Sequence, residues 1–203
     1  MKPTNKLKDI LKDYLNWDKR RIDCFVKMLI SMIAVQTVNL TRLANYMDQK
    51  TTNIAVRYRH LQRFFQHIKI DYNIIAMFIF RLFEFDKREF FLTIDRTNWK
   101  WGKSNILFWG IAYKGILIPI YWIILNHQGN SNTKQRIAII KRFIDRFGDK
   151  NILGLLADRE FVGKDWFKWL DSNKIKFFIR VKQNIITTNS SGSKTDIPRC
   201  KTR

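Results

Sequence analysis

Acidic residues, histidine and cysteine are scarce in this 203-residue chain. The two cysteines, Cys24 and Cys200, lie far apart and form no CxxC pair, which excludes a disulfide-stapled scaffold. The three histidines, His60, His67 and His127, lack the spacing of zinc ligands. An apolar leader block is also missing, because charged and apolar residues alternate through the first twenty positions. These absences predict a reduced, cytoplasmic protein without a structural metal. The acid deficit says more. Seventeen Asp and Glu stand against thirty-eight Lys and Arg, a net charge of +21. Such an imbalance favours a polyanionic partner: nucleic acid first, an anionic membrane surface second. AT-rich coding explains the preference for Lys over Arg, but not the shortage of acids.

Apolar residues are plentiful. They make up 46% of the chain, with sixteen Phe, so a packed core is expected. Residues 1–87 show helical spacing throughout. Apolar stripes run through Leu7–Leu15, Ile22–Ile33 and Tyr72–Phe83. Leu40 to Met47 predicts a short helix capped by Asn39 or Thr41. Thr51 to His67 predicts another, with Ile54, Tyr58, Leu61 and Phe65 inward and Arg57, Arg59, His60, Arg63 and Gln66 outward. Together, Leu40 to Gln66 fit a helix-turn-helix in which Arg57, Arg59 and Arg63 meet DNA. A solvated basic face on a packing helix fits the same pattern.

The period changes near residue 89. Glu89 to Asp95 is an apolar run ending in an acid, as a buried central strand would be. Ile106 to Leu125 is long enough to span a bilayer, but Lys114-Gly115 interrupts it. Aromatic and β-branched flanks make it a hairpin, so no membrane is expected. A helix over Ser131–Phe147, a strand over Ile152–Asp158, a helix over Gly163–Asn173 and a strand from Lys176 follow. The order strand, strand, strand, helix, strand, helix, strand predicts an α/β fold with a partial, five-stranded ribonuclease-H-like mixed sheet. The domains read as 1–87 helical and DNA-binding, 88–184 core, and 185–203 a low-complexity, disordered tail.

Asp95 and Asp158 each end an apolar strand. Either acid alone is commonly a turn or helix cap. As a pair at strand C-terminal ends, they are expected to converge where ligands gather in α/β sheets. Converging carboxylates need a cation, and hard oxygen donors suit Mg²⁺ or Mn²⁺. Asp95 and Asp158 are therefore the candidate catalytic and metal-binding residues. Arg96, Arg159, Arg180 and Lys182, with Lys100, Lys103 and Lys164, surround the expected strand ends and are candidates for DNA phosphates. Trp99 and Trp101 are candidates for base stacking.

The segments around these acids carry a family resemblance. Thr93-Ile94-Asp95-Arg96-Thr97-Asn98-Trp99 resembles the first-aspartate segment of DDE transposases of the insertion-sequence-four family. Ala157-Asp158-Arg159-Glu160-Phe161 resembles that family's second-aspartate segment, and Phe178 to Asn184 the strand after it. Tyr58 to Phe65 is similar to the helical region ahead of the core. The resemblance implies an enzyme that binds the terminal inverted repeats of a mobile element as double-stranded DNA. It also implies Mg²⁺-dependent strand cleavage and transfer by a homodimer. The family's third acid, a Glu within a Tyr-x2-Arg-x3-Glu-x6-Lys string, has no counterpart here, so the third catalytic acid is none. Glu160 belongs to the second-aspartate segment and is expected to form an ion pair or cap near Arg159 or Lys164. The chain thus reads as a truncated copy, inactive or weakly active alone and only marginally stable, with an out-of-frame tail. A non-catalytic DNA-binding remnant, or an inhibitor of a full-length transposase, is the alternative.

Overall fold

The computed structural model describes residues 3–47, 53–98, 105–127, 129–181, 186–188 and 194–196. The chain divides into two compact units, Met1–Phe78 and Ile79–Arg203.

The first unit is helical: α1 (Pro3–Tyr14), α2 (Lys19–Val35), α3 (Leu40–Tyr46), α4 (Ile54–His67) and the start of α5 (Tyr72–Leu82). Side-chain caps set three helix starts, because Asp18, Asn39 and Asn53 accept amide hydrogen bonds from the first turns of α2, α3 and α4. Helix α2 is buried on two sides. Ile22 and Val26 pack with Leu11 and Leu15 of α1, while Met28 packs with Leu43, Leu61 and Phe64 of α3 and α4. The single stripe expected in α2 therefore misses one of its two packing sides, and Ile33, placed on that stripe, is 75% exposed.

The inward face of α4 also differs from expectation. Arg57, Leu61 and Phe64 are buried, whereas Ile54 and Phe65 lie outside. The spacing of Arg57, Leu61 and Phe64 is as helical as that of the expected set. Counting only apolar residues concealed it.

The second unit holds a five-stranded sheet in the order β3-β2-β1-β4-β5. Its strands are β1 (Phe90–Asn98), β2 (Asn105–Tyr113), β3 (Ile116–Leu125), β4 (Ile152–Ala157) and β5 (Phe177–Ile179), with α6 (Thr133–Phe147) and α7 (Lys164–Ser172) between them. β1 runs antiparallel to β2 and parallel to β4, and β4 runs parallel to β5. This is the predicted element order, and the mixed sheet with flanking helices is consistent with a ribonuclease-H-like fold. The β2–β3 hairpin turns at Lys114 and Gly115, both at positive φ, which suits a tight two-residue turn. No single helix among the described residues is long and apolar enough to cross a membrane.

Helices α6 and α7 cover one face of the sheet. Phe143 of α6 meets Phe90 of β1 edge-on, and Phe167 of α7 stacks on Phe177 of β5 at 5.0 Å. α6 begins with a reciprocal capping box between Asn132 and Gln135 and ends at Gly148. β1 alternates accordingly: Phe90, Leu92 and Ile94 are buried beneath the helices, while Phe91, Thr93 and Asp95 face the other way. That opposite face is apolar and open in places, with Ile124 60% and Phe178 58% exposed. Within the tail, β6 (Ile186–Thr188) pairs antiparallel with β7 (Lys194–Asp196), a short ladder where disorder was expected.

Candidate functional site

The ladder between β1 and β4 places the two aspartates. Ile94 pairs with Ala157 across the parallel strands, and Ala157 pairs with Ile179 of β5. One step further along each chain stand Asp95, Asp158 and Arg180. Asp95 lies within β1; Asp158 keeps an extended backbone (φ −82, ψ 170), and the Arg180 amide donates to the Ala157 carbonyl at 3.0 Å, so the row continues past the ends of β4 and β5. Neighbouring strands lie about 4.8 Å apart, and in-register residues share a face. Asp95 and Asp158 are thus neighbours on the open face, and both are exposed.

Both carboxylates are held in the same local way. Asp95 Oδ1 accepts the Arg96 amide at 2.7 Å, and Asp158 Oδ1 accepts the Arg159 amide at 2.7 Å. Asp158 thereby caps the short helical turn Arg159–Phe161, as the capping reading expects, whereas Asp95 lies inside β1, which runs on to Asn98, and caps nothing. Among the described residues, the second oxygen of each has no partner. Among the described residues, no group of three or more His, Cys, Asp or Glu gathers as a metal-binding set.

An ion pair locks the two aspartate segments together. Arg96, next to Asp95, meets Glu160, two residues after Asp158. Arg96 Nη2 lies 2.8 Å from Glu160 Oε2, and Nε lies 3.2 Å from both carboxylate oxygens. The same guanidinium donates to the Asn105 side chain at 3.3 Å, the Gly129 carbonyl at 3.0 Å and the Asn130 side chain at 3.2 Å. Glu160 does make an ion pair, as expected, but with Arg96 instead of Arg159 or Lys164. Arg96 was expected to contact DNA. Its side chain is only 10% exposed and its donors are used within the fold.

Arg136 and Asn105 complete this support, and neither was singled out from sequence. Arg136 is buried on α6. Its Nε donates to Ser131 Oγ at 3.0 Å, and its Nη2 donates to the Ser131 carbonyl at 2.7 Å and the Glu160 carbonyl at 3.3 Å. Burial lowers its pKa, with the Glu160 charge acting in the opposite direction. It also lies 5.0 Å from the centre of the Phe161 ring. Asn105 is buried and donates to the Gly129 carbonyl at 2.7 Å. A buried polar residue reads as an outward one in a periodicity count, and only the capping box beside Arg136 hinted that this corner is ordered.

The other expected DNA contacts separate. Arg59 and Arg63 are exposed on α4, and Arg159 and Arg180 are exposed beside Asp158. Arg57 is 7% exposed and donates from Nη1 to the Met47 carbonyl, so it is a packing residue of the helical unit. It is buried because it falls on the same helical stripe as Leu61 and Phe64. Lys182, Trp99, Trp101, Lys100 and Lys103 lie outside the described residues.

Residues 110–202 match the family model of the transposase DDE domain. The match supports a DDE-type transposase. It includes Asp158, Glu160 and Arg180 and begins after Asp95, whose place rests on the parallel ladder. It also runs through the tail to residue 202, which does not fit out-of-frame sequence. No curated protein matches the chain.

Proposed function

We propose that this chain is the DNA-binding and metal-holding part of a transposase acting on the ends of a mobile element. The observation that carries the reading is the pairing of Ile94 with Ala157 across parallel β1 and β4, with Asp95 and Asp158 as the next residues, in a chain of net charge +21. Two exposed carboxylates in one row fit Mg²⁺ or Mn²⁺, which favour oxygen donors and retain several waters. When bound, such an ion would polarise a phosphodiester and lower the pKa of a water or 3′-hydroxyl.

The protein's own part is positioning. The Arg96 and Arg159 amides orient one oxygen of each carboxylate. The Arg96–Glu160 pair fixes the spacing of the two segments, and Arg136 anchors the second of them. Arg159 and Arg180 stand beside the acids as cations for DNA phosphates, and Arg59 and Arg63 offer a second contact on α4. The resemblance further implies inverted-repeat ends as the DNA and a homodimer as the acting form.

Glu160 is committed to Arg96, so it does not serve as a third metal-binding acid. These 203 residues are therefore expected to bind duplex DNA strongly and to cleave it weakly or not at all. The lack of a third acid around Asp95 and Asp158 among the described residues also favours a second reading, a binder that occupies element ends without cutting. DNA affinity and Mn²⁺-dependent nicking, measured on the same duplex, decide between them. Binding without nicking, and without Mn²⁺ held at Asp95 and Asp158, supports the second reading. Nicking lost in Asp158→Asn supports the first. Absence of DNA binding would refute both.

A further inference from the structure

Within the helical unit, α1, α2 and α4 enclose a cavity of about 540 Å³. Six cationic side chains line it, Lys8, Lys12, Lys19, Arg20, Lys27 and Arg57, against one acid, Asp23. Asp23 is already taken, because Lys8 and Lys27 both pair with it. A second cavity of about 450 Å³ adjoins the first. The two share Arg20, Cys24 and His60, and the second adds Arg63, His67 and the paired Arg21 and Asp18. The result is a continuous basic groove along α2 and one flank of α4.

Two features of this groove call for an anion. The first turn of α2 carries Lys19, Arg20 and Arg21, at the helix end where the backbone dipole is already positive. Cations there repel that end unless negative charge lies nearby, and the one carboxylate of Asp18 serves as the cap and pairs with Arg21, leaving Lys19 and Arg20. Independently, Arg57 lines the larger cavity, is only 7% exposed, and has an Nε with no hydrogen-bond partner among the described residues. A guanidinium keeps its positive charge even when buried, and the cavity that Arg57 lines is where a phosphate can meet that charge.

We infer that this groove is a docking site for the phosphodiester backbone of DNA, with Arg57 at its floor and Lys12, Lys19 and Arg20 at its rim. The inference rests on the DNA-binding reading above and moves the main contact from the outward face of α4 to the groove between α2 and α4. Arg57 then contributes from the interior, where an outward-facing recognition helix leaves it no role.

The test uses the full chain and duplex DNA, with affinity read by fluorescence anisotropy across a salt series. Lys12, Lys19 and Arg20 are exposed, so their triple change to Gln should leave the fold intact. A control triple, Lys134→Gln, Lys141→Gln and Arg146→Gln on α6, removes the same charge elsewhere. The groove triple should weaken binding by about tenfold or more. It should also reduce the salt slope by about 2 to 3, at about 0.9 for each phosphate that is no longer neutralised. The control should change affinity by about threefold or less.

Cys24 supplies a local readout, because it lines both cavities. Burial and the Asp23 charge push its thiol up, so alkylation is followed at alkaline pH, by mass spectrometry at that residue. Duplex DNA should slow its alkylation in the wild type but not in the groove triple. If DNA binds yet the groove triple behaves as the control does, or Cys24 stays unprotected, the groove assignment is wrong and the DNA-binding reading stands. If DNA does not bind at all, that reading fails first. Protection of Cys24 by inorganic triphosphate alone would then assign the groove to a small polyanion and overturn the DNA assignment.

Discussion

Removing the Glu160 carboxylate tests whether the two aspartate segments are held together as a unit. In Glu160→Ala, Arg96 gives up hydrogen bonds of 2.8 and 3.2 Å from Nη2 and Nε. It keeps Asn105, Gly129 and Asn130 as partners. An exposed ion pair is worth about 0–1 kcal/mol. Breaking a fully buried one costs about 3–5 kcal/mol. With side chains 10% and 24% exposed, this pair lies between those limits. A destabilisation of about 2 kcal/mol is expected, or a melting point lower by roughly 4–8 °C for a chain of this size.

A double-mutant cycle with Arg96→Ala isolates the pair itself. Urea unfolding followed by Trp fluorescence suits it, since Trp109, Trp122, Trp166 and Trp169 all lie in the second unit. A coupling energy of about 1.5–3 kcal/mol, little changed by salt, is the expected result. Coupling below about 0.5 kcal/mol would place the pair among ordinary surface salt bridges and remove it as the clamp between Asp95 and Asp158.

Three further outcomes follow from the same structure. Gly110 faces the Ile118 carbonyl so closely that an added Cβ has no room, and Gly110→Ala should destabilise by about 1–3 kcal/mol in thermal melts; an unchanged melting point would mean that β3 moves aside freely. Burial raises the Asp23 pKa, but the hydrogen bonds and charges of Lys8 and Lys27 outweigh it and hold the carboxyl below its ordinary value. Its stabilising effect is therefore complete above the ordinary carboxylate pKa and disappears as pH falls through the depressed one, below about pH 4. Urea midpoints of Asp23→Asn should fall less over that range than those of the wild type, and an identical acid profile would refute this. Asp158→Ala removes the acceptor of the Arg159 amide that starts the turn after β4, so it should melt lower than wild type by roughly 2–4 °C; an unchanged melting point would show that this cap contributes nothing.

The sheet was legible because its signals are local. β1 opens with an apolar run followed by Asp95 and continues to Asn98, β4 is an apolar run followed by Asp158, and the β2–β3 hairpin carries its turn at Lys114-Gly115. The order of elements along the chain followed from the alternation of strands and helices, whereas the sheet order β3-β2-β1-β4-β5 is set by pairing. The row that unites Asp95, Asp158 and Arg180 was legible only as a convergence, since the register is set by pairing between segments about sixty residues apart.

Arg57 and Arg96 were both read as facing solvent and are both largely buried, for one reason. Sequence periodicity assigns charged side chains to solvent, yet a guanidinium can be buried where carbonyls or a carboxylate meet it. Arg57 finds the Met47 carbonyl, and Arg96 finds Glu160, Asn105 and Gly129. Those partners are distant in sequence for Arg96 and lie beyond a loop for Arg57. The basic groove escaped notice because its cations come from three helices, none of which is exceptional alone.

The central claim is that Asp95 and Asp158 together hold a divalent cation, and a Mn²⁺ titration followed by electron paramagnetic resonance tests it directly. Free Mn²⁺ signal should fall as wild-type protein is added, and should recover in both Asp95→Asn and Asp158→Asn while Glu160→Gln still binds. Equal Mn²⁺ binding by wild type and both aspartate variants would contradict the account, since the paired carboxylates would then have no part in holding the ion.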